Sequence, residues 1–377
     1  MITRLELKNF RVFEKADFEL KPLTILVGEN GTGKSTILYA LCFLTQSLNR
    51  VNYRGSIDLR SFDETVRKGK DSFEIGIEVE EGGKRILIQE EFKGDGIKGI
   101  NITTNGKTLL KAEKECNGVL NFSERAMAEI RSNEDLHKDL TGAIKALNSF
   151  FQRIVPILGD RSIFEDSFIV GGHKPEIKEV VKNSTALGNI LTWLKRAEEY
   201  EKIKELNDAF KQLDCRLLEK PEEEALGQGV IFMEDLSLKT ETRGSLTSYG
   251  YSKVTPLLAS LVLSPEGSTL CIEDPEIHLH PGAQAVLMDL IIKSVKRGER
   301  QAIITTHSEH MLIRLVRRIA DGTISPEDIA VYYLSKEAGG IEVERVEIKE
   351  KGFVSDSFWK FFEEEMRDVF EIKFGGG

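Results

Sequence analysis

Residues 28–35 read Gly28-Glu29-Asn30-Gly31-Thr32-Gly33-Lys34-Ser35. A glycine, four residues and then Gly-Lys-Ser is the spacing that cradles a phosphate chain. Gly28, Gly31 and Gly33 can take positive φ without steric cost, so the backbone can curl and aim its N–H groups inward. The positive end of a following helix adds to the field at a β-phosphate. Lys34 would neutralise the β- and γ-oxygens, and the Ser35 hydroxyl would ligate Mg²⁺. Glu29, Asn30, Thr32 and Thr36 complete the expected ATP-binding segment. ATP and Mg²⁺ are therefore the expected ligands.

A Mg²⁺ site of this kind needs carboxylates as well. The run Thr269-Leu270-Cys271-Ile272-Glu273-Asp274-Pro275-Glu276 offers them. Its apolar residues predict a buried strand, and the acids emerge at its C-terminal end, where open α/β sheets bind ligands. Glu273 is the expected Mg²⁺ ligand and Asp274 the residue that orients the attacking water. Glu276 is the second candidate for catalysis, and the plain alternative is an acidic turn. Lys34 and Glu273 stand 239 positions apart, so a whole lobe separates the two motifs. A second apolar run, Gln301 to Thr306, ends in His307, 34 positions past Glu273.

This arrangement resembles ATPases of the ABC and SMC kind, whose head is split by an inserted lobe. The opening "ITRLELKNFRVFEKADFEL" and "LTILVGENGTGKST" are similar to the start of SMC-like and RecF-like ATPases. "IEDPEIHLHP" resembles the acidic run of the OLD-like branch and its stand-alone AAA-type relatives. The aromatic tail residues Trp359, Phe361 and Phe362 approximate an element of one stand-alone subgroup. The likeness covers roughly 1–50 and 245–365 and is poor across 110–240. It implies that His307 is a switch histidine contacting the γ-phosphate, with a helix cap or core polar residue as the alternative. It also implies that Ser248, Gly250, Ser252 and Lys253, in "SYGYSKV", form a degenerate signature that binds nucleotide held by the opposite subunit. A glycine turn before a helix is the simpler reading of that segment. Arg11, in Asn9-Phe10-Arg11, matches a segment that touches nucleotide, or is a surface arginine.

The resemblance further implies an ATP-dependent homodimer that closes on ATP and opens on hydrolysis. His278 and His280 fall where such heads contact the partner; plain structure and a metal set with His307 and His310 are the alternatives. Two departures matter. The acidic pair reads Glu-Asp where ABC heads usually read Asp-Glu, and Asp274 is shorter by one C–C bond, about 1.5 Å, which predicts slow hydrolysis. After His307 about 70 residues remain without a second acidic cluster of the kind two-metal nucleases use, so nuclease activity is not expected.

The elements that must position these groups are legible. Alternation predicts strands within 2–27, ending in the apolar run Leu23–Val27. A helix follows from Lys34 to Leu48, with Ile37, Leu38, Leu41 and Leu44 as its apolar stripe. Residues 72–110 predict an antiparallel meander turned at Gly82-Gly83, Gly94-Asp95-Gly96 and Asn105-Gly106. Residues 122–155 and 176–216 predict helices. The apolar recurrence from Ile190 to Leu213 spans only about seven turns, too short for a long coiled-coil arm. Two or three strands are expected in 214–243. Strands at 268–273, 302–306, 330–335 and 341–348 alternate with helices at 282–297 and 309–320. The fold class is α/β, a P-loop NTPase head of ABC/SMC type with a mixed sheet flanked by helices and an inserted α+β or helical lobe. The expected parts are 1–110 with the phosphate loop and meander, 111–243 as the insert, 244–350 as the C-terminal lobe, and 351–377 as a tail helix.

Composition narrows the function classes. The 52 basic and 62 acidic residues give a net charge of −10, which argues against a chain built to coat nucleic acid. A local basic patch stays open; Arg67, Lys68, Lys70, Lys296 and Arg297 are candidates for nucleic-acid contact, or solvated surface. The alternative function is thus an ATP-dependent module that loads onto DNA or onto an effector protein, in repair or anti-phage defence. The charged fraction of 30% fits either a heat-adapted source or a well-solvated surface. Cys42, Cys116, Cys215 and Cys271 form no CxxC pair, which argues against a disulfide framework. No apolar run is long enough to span a bilayer, so a cytoplasmic chain with no membrane partner is expected.

Overall fold

The computed structural model describes residues 1–94, 96–118, 121–122, 134–159, 167–171, 174–181, 184–223, 228–352, 354–355, 358–359 and 362. The chain begins with β1 (Ile2–Phe10), β2 (Phe13–Glu19), β3 (Leu23–Gly28), α1 (Lys34–Gln46) and α2 (Phe62–Thr65). The meander follows as β4 (Phe73–Glu81), β5 (Lys84–Lys93), β6 (Gly96–Thr104), β7 (Lys107–Gly118) and β8 (Asn121–Phe122). Next come α3 (Glu134–Gln152), β9 (Ile154–Ile157), β10 (Phe168–Ile169), α4 (Ile177–Val180), α5 (Ser184–Arg196) and α6 (Tyr200–Lys211). Then β11 (Cys215–Glu223), β12 (Gln228–Asp235), β13 (Thr240–Arg243), α7 (Tyr249–Leu263) and β14 (Thr269–Glu273) lead to α8 (Pro281–Arg297). The last elements are β15 (Gln301–Thr305), α9 (Glu309–Ala320), β16 (Ile329–Glu337) and β17 (Gly340–Val346). No described helix is long and apolar enough to cross a membrane.

The chain divides into two compact units. The first holds residues 1–154, 267–269 and 325–377. Its largest sheet has the order β2-β1-β4-β5-β6-β7-β8 and is antiparallel throughout. Gly82 and Gly83, and Asn105 and Gly106, take positive φ at the two hairpin turns, as primed two-residue loops require. Phe73 and Phe92 from this sheet meet Phe43 of α1, with the Phe43 and Phe92 centroids 5.1 Å apart, and Phe10 packs on Phe73. That aromatic cluster seats α1 on the sheet, and the helix buries most of its circumference rather than one stripe. In the same unit β3 pairs in parallel with β16, and β16 pairs antiparallel with β17. The Tyr332 hydroxyl of β16 donates to the Glu19 carbonyl and accepts from the Glu19 N–H, both at 2.9 Å.

The second unit holds residues 155–266 and 270–324. Strands β10, β12 and β11 stand in that order, with β13 on β12. In it β15 neighbours β14, and β14 neighbours β9. Every residue of β14 and β15 is buried, the pattern of a strand covered on both faces.

The strands read from the sequence in 2–27, 72–110, 214–243 and the C-terminal third are present, as are both C-terminal helices. Three local expectations change. Residues 154–157 form a strand that takes the last two positions of the helix expected over 122–155, because Ile154, Val155 and Ile157 are β-branched and all buried. The stretch 176–216 is divided, with α5 and α6 separated at Glu198, which sits at φ 58°. The boundary expected at 110/111 falls inside β7. Phe361, most of the expected tail helix, Asp95 and the side chain of Cys116 lie outside the described residues.

One buried group has no sequence-level signal beyond its position. Glu90 lies on the core face of β5 with Ile86, Ile88 and Phe92 and is 2% exposed. Neither carboxyl oxygen has a hydrogen-bond partner. Burial pushes this carboxyl well above the usual range. The folded chain therefore holds the proton more tightly than the unfolded one. That contribution is complete below the unfolded value near 4.5 and is lost as pH rises through the folded value. Glu90→Leu should stabilise the chain by about 1–3 kcal/mol at pH 7, with the gain shrinking toward pH 4. Urea unfolding at both pH values measures this; equal or lower stability of the variant at pH 7 would contradict it.

Candidate functional site

The phosphate loop leaves β3 in the first unit at a point of close backbone approach. Gly28 is in register with Leu334 of β16. A Cβ at Gly28 would lie 2.0 Å from the Leu334 carbonyl oxygen, so only glycine fits. Gly28, Gly31 and Gly33 sit at φ 132°, 78° and 91°, the conformations that the motif's glycines exist to provide. Gly33 precedes α1 without any side-chain cap, so the loop supplies the helix N-terminus as an anion-facing end. The Lys34 ammonium donates to the Gly28 carbonyl at 2.8 Å and the Glu29 carbonyl at 2.6 Å. The Thr32 hydroxyl donates to the Glu29 carbonyl at 2.9 Å, closing the curl. Glu29, Asn30 and Gly31 are exposed, Ser35 is half-buried and Thr36 is buried.

The turn between β1 and β2 packs on this loop. A Cβ at Gly33 would meet Val12 at 2.5 Å. Asn9 and Arg11 both take positive φ in that turn. The Arg11 guanidinium lies 5.6 Å from the Tyr39 ring centroid. The sequence gives no sign of Lys336, on β16, whose ammonium would be 3.5 Å from a Cβ at Gly31. Only the parallel pairing of β16 with β3 brings it to the loop.

The acidic run lies in the second unit. Glu273 closes β14, and its Oε2 accepts from the Gly159 N–H at 3.0 Å. Asp274 follows at φ 43°, a left-handed conformation that Asp tolerates better than most residues. Its N–H donates to the Thr305 carbonyl at 3.1 Å, and its Oδ1 accepts from the Thr305 hydroxyl at 3.1 Å. Glu276 is 9% exposed, and its Oε1 accepts from the His307 N–H at 2.6 Å. Burial holds the Glu276 carboxyl above the ordinary range; the His307 N–H and the Thr306 hydroxyl pull the other way. His307 is exposed at the end of β15, beside the acidic run. Ser308 then caps α9 and donates to Gln284 at 2.6 Å.

The expected signature segment begins α7. Ser248 is the N-cap, with its hydroxyl accepting from the Tyr251 N–H at 3.4 Å. A Cβ at Gly250 would lie 2.6 Å from the His278 carbonyl oxygen, which explains the glycine. His278, at φ 62°, meets the Tyr249 ring edge-on at 4.5 Å. Ser248 is exposed, whereas Ser252 and Lys253 are buried, the Lys253 ammonium lying over the Tyr249 ring. His280 caps α8 through its Nδ1, which accepts from the Gly282 N–H. No three His, Cys, Asp or Glu side chains converge to hold a metal among the described residues, so the set of four histidines weighed above is not assembled there.

Residues 23–312 match the family described as "AAA domain, putative AbiEii toxin, Type IV TA system". The chain belongs to this family. It is an ABC/SMC-like ATPase of the OLD and RecF group. An OLD nuclease of Thermus scotoductus is 24% identical over 363 residues, covering 86% of this chain and 63% of that protein, so the chain spans less than two thirds of that relative. A DNA replication and repair protein RecF of Acidothermus cellulolyticus is 35% identical over 91 residues, covering 24% of this chain and 23% of that one. An Smc head bound to the C-winged helix domain of ScpA superposes with a TM-score of 0.53 at 18% identity, covering 92% of this chain and 98% of that one. The Smc head domain with a coiled coil and joint from Pyrococcus yayanosii gives 0.51 at 13% identity, over 97% and 99%. These likenesses establish the fold, a P-loop ATPase head of mixed α/β build.

ATPases of this family work with ATP and Mg²⁺. Ser35 in the first unit and Glu273 in the second each carry an oxygen of the hard kind that Mg²⁺ takes. Glu276 differs from Glu273, which is equally buried, because one of its oxygens holds the His307 backbone while the other is buried without a hydrogen-bond partner. Glu276→Ala should cost about 1–3 kcal/mol by leaving the His307 N–H unpaired. Glu276→Gln keeps the acceptor and removes the buried acid, so its stability at pH 7 should equal or exceed that of the parent. Chemical unfolding of both variants tests this; equal losses for Ala and Gln would refute it.

Proposed function

We propose that this ATPase binds ATP at residues 28–36, hydrolyses it, and uses the cycle to open and close a homodimer. Bound Mg²⁺ would neutralise charge on the β- and γ-oxygens. Lys34 exchanges its contacts with the loop carbonyls for phosphate oxygens. Ser35 and Glu273 would hold that ion. Asp274, clamped by Thr305, orients the attacking water, and its short reach makes hydrolysis slow. His307 meets the γ-phosphate, and Glu276 acts on it by fixing its backbone rather than by touching water. Positioning and electrostatics supply most of the catalysis in such sites.

The observation that carries the dimer reading is the surface around Ser248. Leu246 is 74% exposed and Tyr249 55% exposed, and both flank the exposed N-terminus of α7 beside His278. Exposed large apolar side chains grouped around a helix N-terminus suit a face that closes on a partner's nucleotide. Ser248 and Gly250 are accessible for that role; the buried Ser252 and Lys253 support the turn from beneath. The full chain carrying Asp274→Asn, which binds ATP but turns it over slowly, should elute as a dimer with Mg-ATP and as a monomer without it. Lys34→Ala should abolish both turnover and dimerisation. A monomer at saturating ATP sinks the dimer reading, and unaffected turnover in Lys34→Ala sinks the site.

A second reading, loading onto DNA, is favoured by one feature. Arg50, Arg54 and Arg60 line a hollow of about 610 Å³ in the first unit whose lining contains no carboxylate. In the runs weighed from sequence, Arg67 donates to the Val12 carbonyl and Lys296 to that of Thr323; in the hollow, Arg54 donates to the Arg60 carbonyl. Replacing all three arginines with Glu should weaken filter-retained duplex DNA at least tenfold and reduce its salt dependence. Binding that is equal in parent and variant would remove this reading.

A further inference from the structure

A cavity of about 680 Å³ opens on the second unit at the C-terminal ends of α7 and α8. Its volume lies in the range of small-molecule sites, about 300–1,000 Å³. Leu258, Leu261 and Leu290 give it an apolar wall and are themselves buried. Lys174, Lys202, Lys293 and Arg297 converge on it from a loop, α6 and α8. With Arg300, five cations face two carboxylates, Glu205 and Glu266, in a chain whose net charge is −10. Helix C-termini ordinarily repel anions. Here Arg300 takes the carbonyls of Leu261, Val262 and Ser264, so that repulsion is met within the fold. Ser264, which lines the cavity, is 2% exposed, and its hydroxyl has no hydrogen-bond partner. Glu205 offsets Arg297 at 3.5 Å, Glu199 offsets Lys202 at 3.2 Å, and Lys174 lies over the Trp193 ring at 4.3 Å.

We propose that this cavity binds an organic phosphate, a small molecule with a phosphate group and an apolar or aromatic body. Lysines from separate elements suit a tetrahedral anion approached from several sides. The leucine wall requires more than a bare ion, because burying apolar surface rewards a ligand with a hydrophobic body. The cavity is separate from the Ser248 segment. Ser248 and the cavity lie at opposite ends of α7, and 15 helical residues span about 22 Å.

The test uses the full chain carrying Lys34→Ala, which takes the phosphate loop out of the measurement and keeps failure here distinguishable from failure of the ATPase reading. Calorimetric titrations with AMP, phenyl phosphate and inorganic phosphate form its arms. At least one of the two organic phosphates should saturate a single site, at least tenfold tighter than inorganic phosphate. A preference for AMP over phenyl phosphate assigns a nucleotide, and equal affinity assigns phosphomonoesters with any apolar body; either supports the site. Adding Lys293→Glu, or separately Lys174→Gln, should weaken binding at least tenfold, while Lys15→Glu on the other unit should leave it unchanged. Lys293 is exposed, and thermal melting confirms that each variant is folded. The proposal is overturned if neither organic phosphate saturates, if inorganic phosphate binds as tightly, or if both cavity variants bind like the parent.

Discussion

The contact between Gly28 and the Leu334 carbonyl is the constraint on which the phosphate loop depends. Parallel strands lie about 4.8 Å apart, and at this junction the chain leaves its ladder to turn upward. A side chain at position 28 would collide with the neighbouring backbone, because the register from Leu23↔Ile329 to Gly28↔Leu334 is continuous. With no Cβ there, the loop curls directly over the strand end. The start of α1 and the Lys34 ammonium are then delivered to one point. The same strand pair brings Lys336 to Gly31. The loop's geometry is thus set by a strand some 300 residues later in the chain.

The second unit meets a different problem. It gathers Glu273, Asp274 and Glu276 within four positions, and like charges this close disfavour joint ionisation. The structure separates them by partner. Glu273 takes a backbone N–H from Gly159, Asp274 is tied to Thr305, and Glu276 takes the His307 N–H. Burial raises the Glu276 carboxyl above the ordinary range, and the Asp274 charge adds to that shift. The acidic run and the histidine strand are therefore one hydrogen-bonded assembly, and the site chemistry cannot be divided residue by residue.

Buried polarity recurs away from these motifs, and it differs in kind. Glu90 has no partner in its sheet and costs stability. Arg300 is half-buried but is satisfied by three carbonyls and leaves an adjacent cavity positive. An unpaired buried group is a burden on folding, whereas a paired one can set the field of a nearby hollow.

Much of this was legible in the residues. The phosphate loop, the acidic strand, the primed hairpin turns and the C-terminal alternation of strands and helices follow from local rules, because spacing, periodicity and glycine placement act over a few residues. The expectation of ATP and Mg²⁺ rests on the same local spacing. What only the tertiary structure decided depends on distant partners: that Gly250 is required by the His278 carbonyl, that His280 is a helix cap, that Lys253 is buried, that Lys336 reaches the loop, and that residues 154–157 form a strand. Burial and close backbone approach are properties of pairs far apart in the chain, and no local pattern of residue types encodes which pair will meet.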